Sequence, residues 1–265
     1  MADQMTALIE FARASLLAAG LARCETQGSV YFTGGSSRST VVLVHGVNDQ
    51  AGTWAQVVPA LVKEHRLIVP DLAGHGESEP KTGPIPLPLI VERLHAILEK
   101  EGAGKVTLVG NSMGAWVSML YTLAHPERVE RLVLESGAGL AIPPAVPLTA
   151  TTREEAMVVL RAVHGPDATL PDWAPDALIA RNTSSQMMRV IEGGVFGHFL
   201  DAKLPQLKVP VTILWGAHDG VVPRSYVDKL LAGISGAQLK VIDGAAHIPH
   251  TQQPERFVEC LRATF

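Results

Sequence analysis

Residues Gly110-Asn111-Ser112-Met113-Gly114 lie between a β-branched apolar run, Val106-Thr107-Leu108-Val109, and a stretch of small and apolar residues, Ala115 to Ala124. A Gly-x-Ser-x-Gly turn between a strand and a helix lifts its serine to the apex of a sharp bend, where the flanking positions must be nearly free of side chains. The helix that follows offers free amide donors and the positive end of its dipole, so negative charge developing beside Ser112 is favoured. That chemistry is nucleophilic attack on a carbonyl, with the backbone N–H of Met113 as one donor to the resulting oxyanion. A serine hydroxyl is a weak nucleophile at neutral pH. The turn therefore predicts a histidine base and an acid that orients it.

Both are present further along. The apolar run Val211-Thr212-Ile213-Leu214-Trp215 leads into Gly216-Ala217-His218-Asp219-Gly220-Val221-Val222-Pro223, which puts Asp219 just past the carboxyl end of a strand. The next such run, Leu239-Lys240-Val241-Ile242, leads into Asp243-Gly244-Ala245-Ala246-His247. We read Ser112 as nucleophile, His247 as base and Asp219 as acid. Asp243 competes as the acid, but it lies only four residues before His247 on the same short connection. Glu135 and Ser136, at the end of another strand, offer a further position for it.

The elements that must hold these residues alternate along the chain. Strands are predicted at Ser29–Thr33, Thr40–His45, Arg66–Asp71, Lys105–Gly110, Arg131–Glu135, Val211–Trp215 and Leu239–Ile242. Their near-continuous Val, Leu and Ile content suits parallel strands covered on both faces. Helices are predicted near Trp54–Glu64, Leu87–Glu101, Met113–His125, Arg224–Ile234 and Pro254–Thr264. Such alternation implies an α/β fold with a doubly wound sheet and ligands at the strands' carboxyl ends, where Ser112, Asp219 and His247 all fall. Between Gly137 and about Pro205 the rhythm breaks into a Pro-rich loop, Pro143-Pro144 to Pro147, and amphipathic stretches at Arg153–His164 and Pro175–Glu192.

Five motifs in order carry a resemblance to a known family. They are Leu43-Val44-His45-Gly46 with Trp54 eight residues after Gly46; Asp71-x-x-Gly74-x-Gly76-x-Ser78; the turn at Ser112; Gly216-x-x-Asp219-x-x-x-Pro223; and Gly244-x-x-His247 with Pro254. From about Val41 onward the chain resembles an α/β-hydrolase-fold serine hydrolase of the esterase and lipase kind. The resemblance implies a mostly parallel sheet of the α/β-hydrolase type, with residues 1–136 and 206–265 as core and 137–205 as an inserted helical cap. It places the second oxyanion donor at the backbone N–H of Val47. It implies an acyl-enzyme route to carboxylic ester cleavage that needs no cofactor and no metal. The turn around Ser112 also resembles that of hydrolases that cleave carbon–carbon bonds of ring-fission diketones. Those usually carry a Gly-Gly-Gly turn and a Trp after the catalytic His, where this chain has Gly46-Val47-Asn48 and Ile248. Thioesterase chemistry would use the same residues, and a binding module with an idle triad is the alternative outside catalysis.

Composition fits a single large domain of this kind. The chain has 265 residues, 47% of them hydrophobic and 18% charged, with a formal net charge of −4. It can bury a large core, and with no basic cluster neither nucleic acid nor an anionic membrane is an expected partner; a small acyl ester is. The two cysteines, Cys24 and Cys260, make no disulfide framework, which suits a cytoplasmic protein. Phe11 to Ala22 is too short to span a bilayer and lacks the basic flank of an export signal. Met5, Leu8, Ile9, Ala12, Leu16 and Leu17 recur at helical spacing, so a helix is predicted over about residues 5–18. Its apolar face could cover the sheet edge or pair with a second copy in a homodimer.

Other residues have plainer expected roles. His45 is read as a structural hydrogen-bonding residue and His75 as shaping a loop near the pocket. Asn48 or Asp49 is expected to cap the helix at Trp54. His218 and His250 flank the acid and the base, but no metal-ligand spacing supports a site there. Met157, Leu160, Met187, Met188, Val195, Phe196 and Phe199 are the apolar candidates for a substrate wall.

Overall fold

Strands made of unbroken Val, Leu and Ile cannot leave a face in water, and here both faces are covered. The computed structural model describes residues 2–36, 39–181 and 185–265. Among them are strands β1 (Ala22–Thr26), β2 (Ser29–Gly34), β3 (Thr40–Val44), β4 (Arg66–Pro70), β5 (Val106–Asn111), β6 (Val129–Glu135), β7 (Val211–Gly216) and β8 (Gln238–Ile242). They form one sheet in the order β1-β2-β4-β3-β5-β6-β7-β8. The six from β4 to β8 in that order run parallel, and β1 and β2 add antiparallel at one edge.

The helices are α1 (Ala2–Ala18), α2 (Val58–Leu61), α3 (Leu87–Lys100), α4 (Met113–Ala124), α5 (Arg153–His164), α6 (Ala174–Arg181), α7 (Gln186–Glu192), α8 (Arg224–Gly233), α9 (Pro249–Gln252) and α10 (Pro254–Arg262). The two-residue side-chain period divides the core into two clusters. Val42, Val44, Leu108, Leu132, Leu134 and Ile213 join one, with α3, α4 and α8 over them. Val41, Leu43, Val109, Val133 and Leu214 join the other, under α1, α2 and α10.

Four local readings change. The edge strand β1 was not foreseen, because Ala22, Arg23 and Glu25 face water and only Cys24 and Thr26 are half-buried, a pattern without an apolar run. The helix expected over Trp54–Glu64 is a 3-10 turn, Ala51–Gln56, followed by the single turn α2. Pro59, which lacks an N–H to continue a helix, sits in the first turn of α2 and restarts it. The N-cap of the 3-10 turn is neither Asn48 nor Asp49: the Gln50 side chain accepts from the Gly52 N–H at 2.7 Å. The stretch expected over Pro175–Glu192 is divided into α6 and α7, with residues 182–184 outside the described ones and Ser185 capping α7.

Helix α1 begins earlier than expected and packs on the 3-10 turn, burying Leu16, while Leu8, Phe11 and Leu17 stay exposed. What fixes it is polar. The Arg13 guanidinium reaches Asp71, whose side chain is fully buried, and also Glu77. Asp71 in turn accepts from the amides of Ala51 and Glu77, each at 2.8 Å. Removing one partner of a buried pair leaves the other charge uncompensated, at a cost of about 3 kcal/mol. Arg13→Met is therefore expected to lower the melting temperature by roughly 6 to 9 °C, checked by calorimetry against wild type.

His75 is fully buried beside His45, their ring centroids 5.4 Å apart, with Nδ1 bonded to the Ala73 carbonyl. Burial, and then the neighbouring His45, push its pKa down from 6.5 to about 3. Between those values the unfolded chain takes a proton that the folded one refuses, so stability falls as pH drops from 6.5 towards 3. Above 6.5 the group has no effect. His75→Gln is expected to flatten the fall by about 1 kcal/mol per pH unit below pH 6, read from urea denaturation at a series of pH values.

Candidate active site

The turn around Ser112 is built by backbone contact. A Cβ on Gly114 would lie 2.1 Å from the Val44 carbonyl oxygen, and one on Gly110 would lie 2.4 Å from the Gly114 carbonyl group. Only glycine lets β3, β5 and α4 approach so closely. Ser112 between them takes φ 51°, ψ −117°, a strained conformation for a residue with a side chain. Its N–H donates to the Glu135 carbonyl at 2.9 Å, and its own carbonyl accepts from Ala115 and Ala138. The side chain is left half-buried at the start of α4.

Asn111, one residue earlier, ties two other loops to this turn. Its Nδ2 donates to the His247 carbonyl at 3.1 Å, while a Cβ on Gly46 would meet Asn111 Oδ1 at 3.0 Å and Ser112 Cβ at 3.3 Å. The loops carrying His247 and Val47 are thus both seated against the Ser112 turn. His45 fixes the second of them. Its Nδ1–H donates to the Gly46 carbonyl at 2.7 Å, and its Nε2 accepts from the Leu72 N–H at 3.0 Å.

Asp219 stands behind His247. The imidazole Nδ1–H donates to the carboxylate, at 3.1 Å to Oδ2 and 3.2 Å to Oδ1, which leaves Nε2 as the acceptor. The Asp219 side chain is fully buried. Burial pushes its pKa up, but His247 and the amides of Val222 and Val221 outweigh that and hold it below the ordinary value. The carboxylate thus adds stability above the unfolded pKa near 4, lost as pH falls through the depressed folded value. Asp243 is exposed and is not among the partners of His247.

Ser112, Met113, Val47 and His247 all line one cavity of about 620 Å³. Of the apolar wall candidates, Met187, Val195, Phe196 and Phe199 line it, whereas Met157, Leu160 and Met188 do not. The wall also includes Trp116, whose ring stacks on Phe199 with centroids 5.3 Å apart. Among the described residues, no Lys, Arg, Asp or Glu lines it. Helix α7 is held over this space from outside: the Arg189 guanidinium donates to the carbonyls of Gly74, Pro80 and Gly83, and the Met187 N–H donates to Asn48 Oδ1 at 2.9 Å.

Glu135, the alternative acid position at the end of β6, is engaged elsewhere. Its fully buried carboxylate accepts from both the N–H and Nδ1–H of His250, each at 2.8 Å, and His250 Nε2 meets Thr53 Oγ1 at 3.0 Å. His250 also packs on Trp54, their ring centroids 4.1 Å apart. Nothing in the spacing pointed to this pair, which joins residues 115 apart in the chain. It pins the first turn of α9, three residues after His247.

Residues 41–260 match the model of a family described as the alpha/beta hydrolase family. The chain is 26% identical over 246 residues to a 2-hydroxy-6-oxononadienedioate/2-hydroxy-6-oxononatrienedioate hydrolase of Klebsiella pneumoniae, covering 84% of this chain and 85% of that one. It is 24% identical to a monoacylglycerol lipase of Xenopus laevis, over 83% and 73% of the two chains. Among solved structures, the carboxylesterase CesB of Bacillus subtilis superposes with a TM-score of 0.76 at 18% identity, over 98% of this chain and 97% of that one. A membrane phospholipase A described as a bacterial virulence factor gives 0.84 at 23% identity, over 98% and 90%. At such identities these structures speak for the fold alone, and the family match takes in most of the sequence: the chain belongs to the alpha/beta hydrolase family.

Proposed function

We propose that this hydrolase cleaves neutral carboxylic esters through an acyl-enzyme on Ser112. The observation that carries the reading is the shared cavity, in which Ser112 faces the same space as a histidine held from behind by the buried Asp219. His247 Nε2 removes the Ser112 proton as the hydroxyl attacks the acyl carbonyl. Asp219 keeps the proton on Nδ1 and stabilises the imidazolium that forms. The amides of Val47 and Met113, which donate to no acceptor among the described residues, receive the oxyanion. His247 then protonates the departing alcohol, and water resolves the acyl-enzyme by the same steps in reverse order. Thioesters pass through the same intermediate and fall within the reading.

In this proposal residues 137–205 are the cap, and their apolar side chains form the acyl wall. The lining also favours an ester over a ring-fission diketone. The Klebsiella relative acts on a dioate, which by its name carries two carboxylates. A carboxylate in this cavity would be desolvated without a cation to meet it. No helix among the described residues is long and apolar enough to cross a membrane. The free thiols of Cys24 and Cys260 suit a reducing, cytoplasmic setting, which is part of the proposal.

The test is steady-state and burst kinetics with p-nitrophenyl esters of increasing chain length. Wild type is expected to turn them over, Ser112→Ala to show neither burst nor turnover, and Asp219→Asn to lose about 10⁴-fold in kcat while Asp243→Asn retains it. Absence of turnover with every ester would instead favour a binding module. A second comparison separates the two hydrolase chemistries. We expect 2-hydroxy-6-oxononadienedioate to be cleaved at least about 100-fold less efficiently than a neutral ester, the penalty of an unpaired buried charge.

A further inference from the structure

Helix α5 ends at His164, and the carbonyls of its last turn have no partner within the helix. Gly165, which caps it, takes that of Arg161. The three that follow are taken by the loops that carry the acid and the base. Ala162 accepts from the N–H of Gly220, the residue after Asp219, at 3.0 Å, and Val163 accepts from the His247 N–H at 3.1 Å. The His164 carbonyl accepts from Gln252 Nε2 at 2.8 Å, and the same nitrogen lies 3.3 Å from the Val163 carbonyl. Gln252 Oε1 in turn accepts from the N–H of Ala246, the residue before His247, at 2.7 Å.

The side-chain amide of Gln252 is thus used at both ends. A turned amide would set its oxygen against two carbonyls and its nitrogen against an N–H, so only one orientation of it serves. The Ala246–His247 segment is thereby held to the end of α5 twice, through the His247 N–H itself and through Gln252. From the serine side, Asn111 holds the carbonyl of the same histidine. The acid's loop sits on the adjoining carbonyl of that helix turn, so close that a Cβ on Gly220 would lie 2.7 Å from Ala162 Cα. One turn of α5 therefore fixes both sides of the contact between Asp219 and His247. Gln252 does not line the cavity.

Resting on the ester-hydrolase reading, we propose that Gln252 is a positioning residue for the base: it ties His247 to the α5 turn that also seats Asp219, and so holds the imidazole in line between Asp219 and Ser112. Displacing a general base by about an ångström costs rate, up to about 100-fold, and leaves ground-state binding of the ester intact. The inserted segment then has two tasks. Helix α7 and the loop after β6 wall the cavity, and α5 braces the base.

The experiment compares hydrolysis of p-nitrophenyl hexanoate by wild type, Gln252→Leu and Gln252→Glu. Leucine fills the space without either bond, whereas glutamate keeps the acceptor for Ala246 and sets a carboxylate against the α5 carbonyls. Both variants are expected to lose about tenfold in kcat, with KM within about twofold of wild type. If leucine prevents folding, glutamate alone carries the comparison. Wild-type kcat in either variant overturns the proposal, in the second because the bond to Ala246 then suffices; so does a raised KM at unchanged kcat. Proton NMR follows the base directly. The Nδ1–H groups of His247 and His250, bonded to Asp219 and Glu135, are each expected to give a downfield resonance, the first assigned by its loss in His247→Gln. In both Gln252 variants the His247 resonance is expected to move upfield or broaden while that of His250 stays. Movement of both would mean a general loosening of α9 and would overturn the proposal, as would a His247 resonance that stays. No ester turnover by wild type, with the resonance responding as stated, removes the hydrolase reading and keeps the positioning role; turnover indifferent to both substitutions does the reverse.

Discussion

The site depends on how closely two stretches of backbone can cross. Gly114 presses on the Val44 carbonyl at a distance no side chain allows, and Gly110 presses on Gly114 in the same way. This contact draws the start of α4 down onto the ends of β3 and β5, and Ser112 absorbs the geometry as a positive φ. Everything else is placed by reference to that crossing. Asn111 carries its position outward in two directions, towards Gly46 on one side and the His247 carbonyl on the other. Three loops that are distant in sequence are thereby located by one amide side chain at the end of one strand.

Behind this backbone frame stand two buried acid–histidine pairs with different work to do. Asp219 meets an imidazole whose other face opens on the cavity. Glu135 meets one whose other nitrogen is already taken by Thr53 and whose ring is packed on Trp54. The chemical types are the same; the surroundings decide that one pair is open to a ligand and the other is closed. A carboxylate at the end of β6 is thus committed to holding α9, which leaves orientation of His247 to the loop after β7.

Much of this was legible in the sequence because it rests on local rules. The seven apolar runs read as strands reappear within two residues of their expected bounds, since unbroken Val and Leu stretches between turn residues have few other uses. Asp219 was preferred to Asp243 because it stands on a separate strand-end loop, and it is the carboxylate that His247 Nδ1 meets. What stayed hidden depends on tertiary contact. β1 is an edge strand of mostly polar residues, recognisable only by its pairing with β2. The Glu135–His250 bond joins groups according to where distant segments come to rest, and no periodicity encodes that.

The hydrogen bond from the Met187 N–H to Asn48 Oδ1 joins the roof of the cavity to the residue directly after Val47. Asn48 holds φ 62°, so its backbone has little freedom to drift without giving up that bond. Any outward shift of α7 would break that bond and release Asn48. The seat of α7, which lines the cavity through Met187, Val190 and Ile191, is thereby tied to the peptide unit next to Val47, a residue of the same wall.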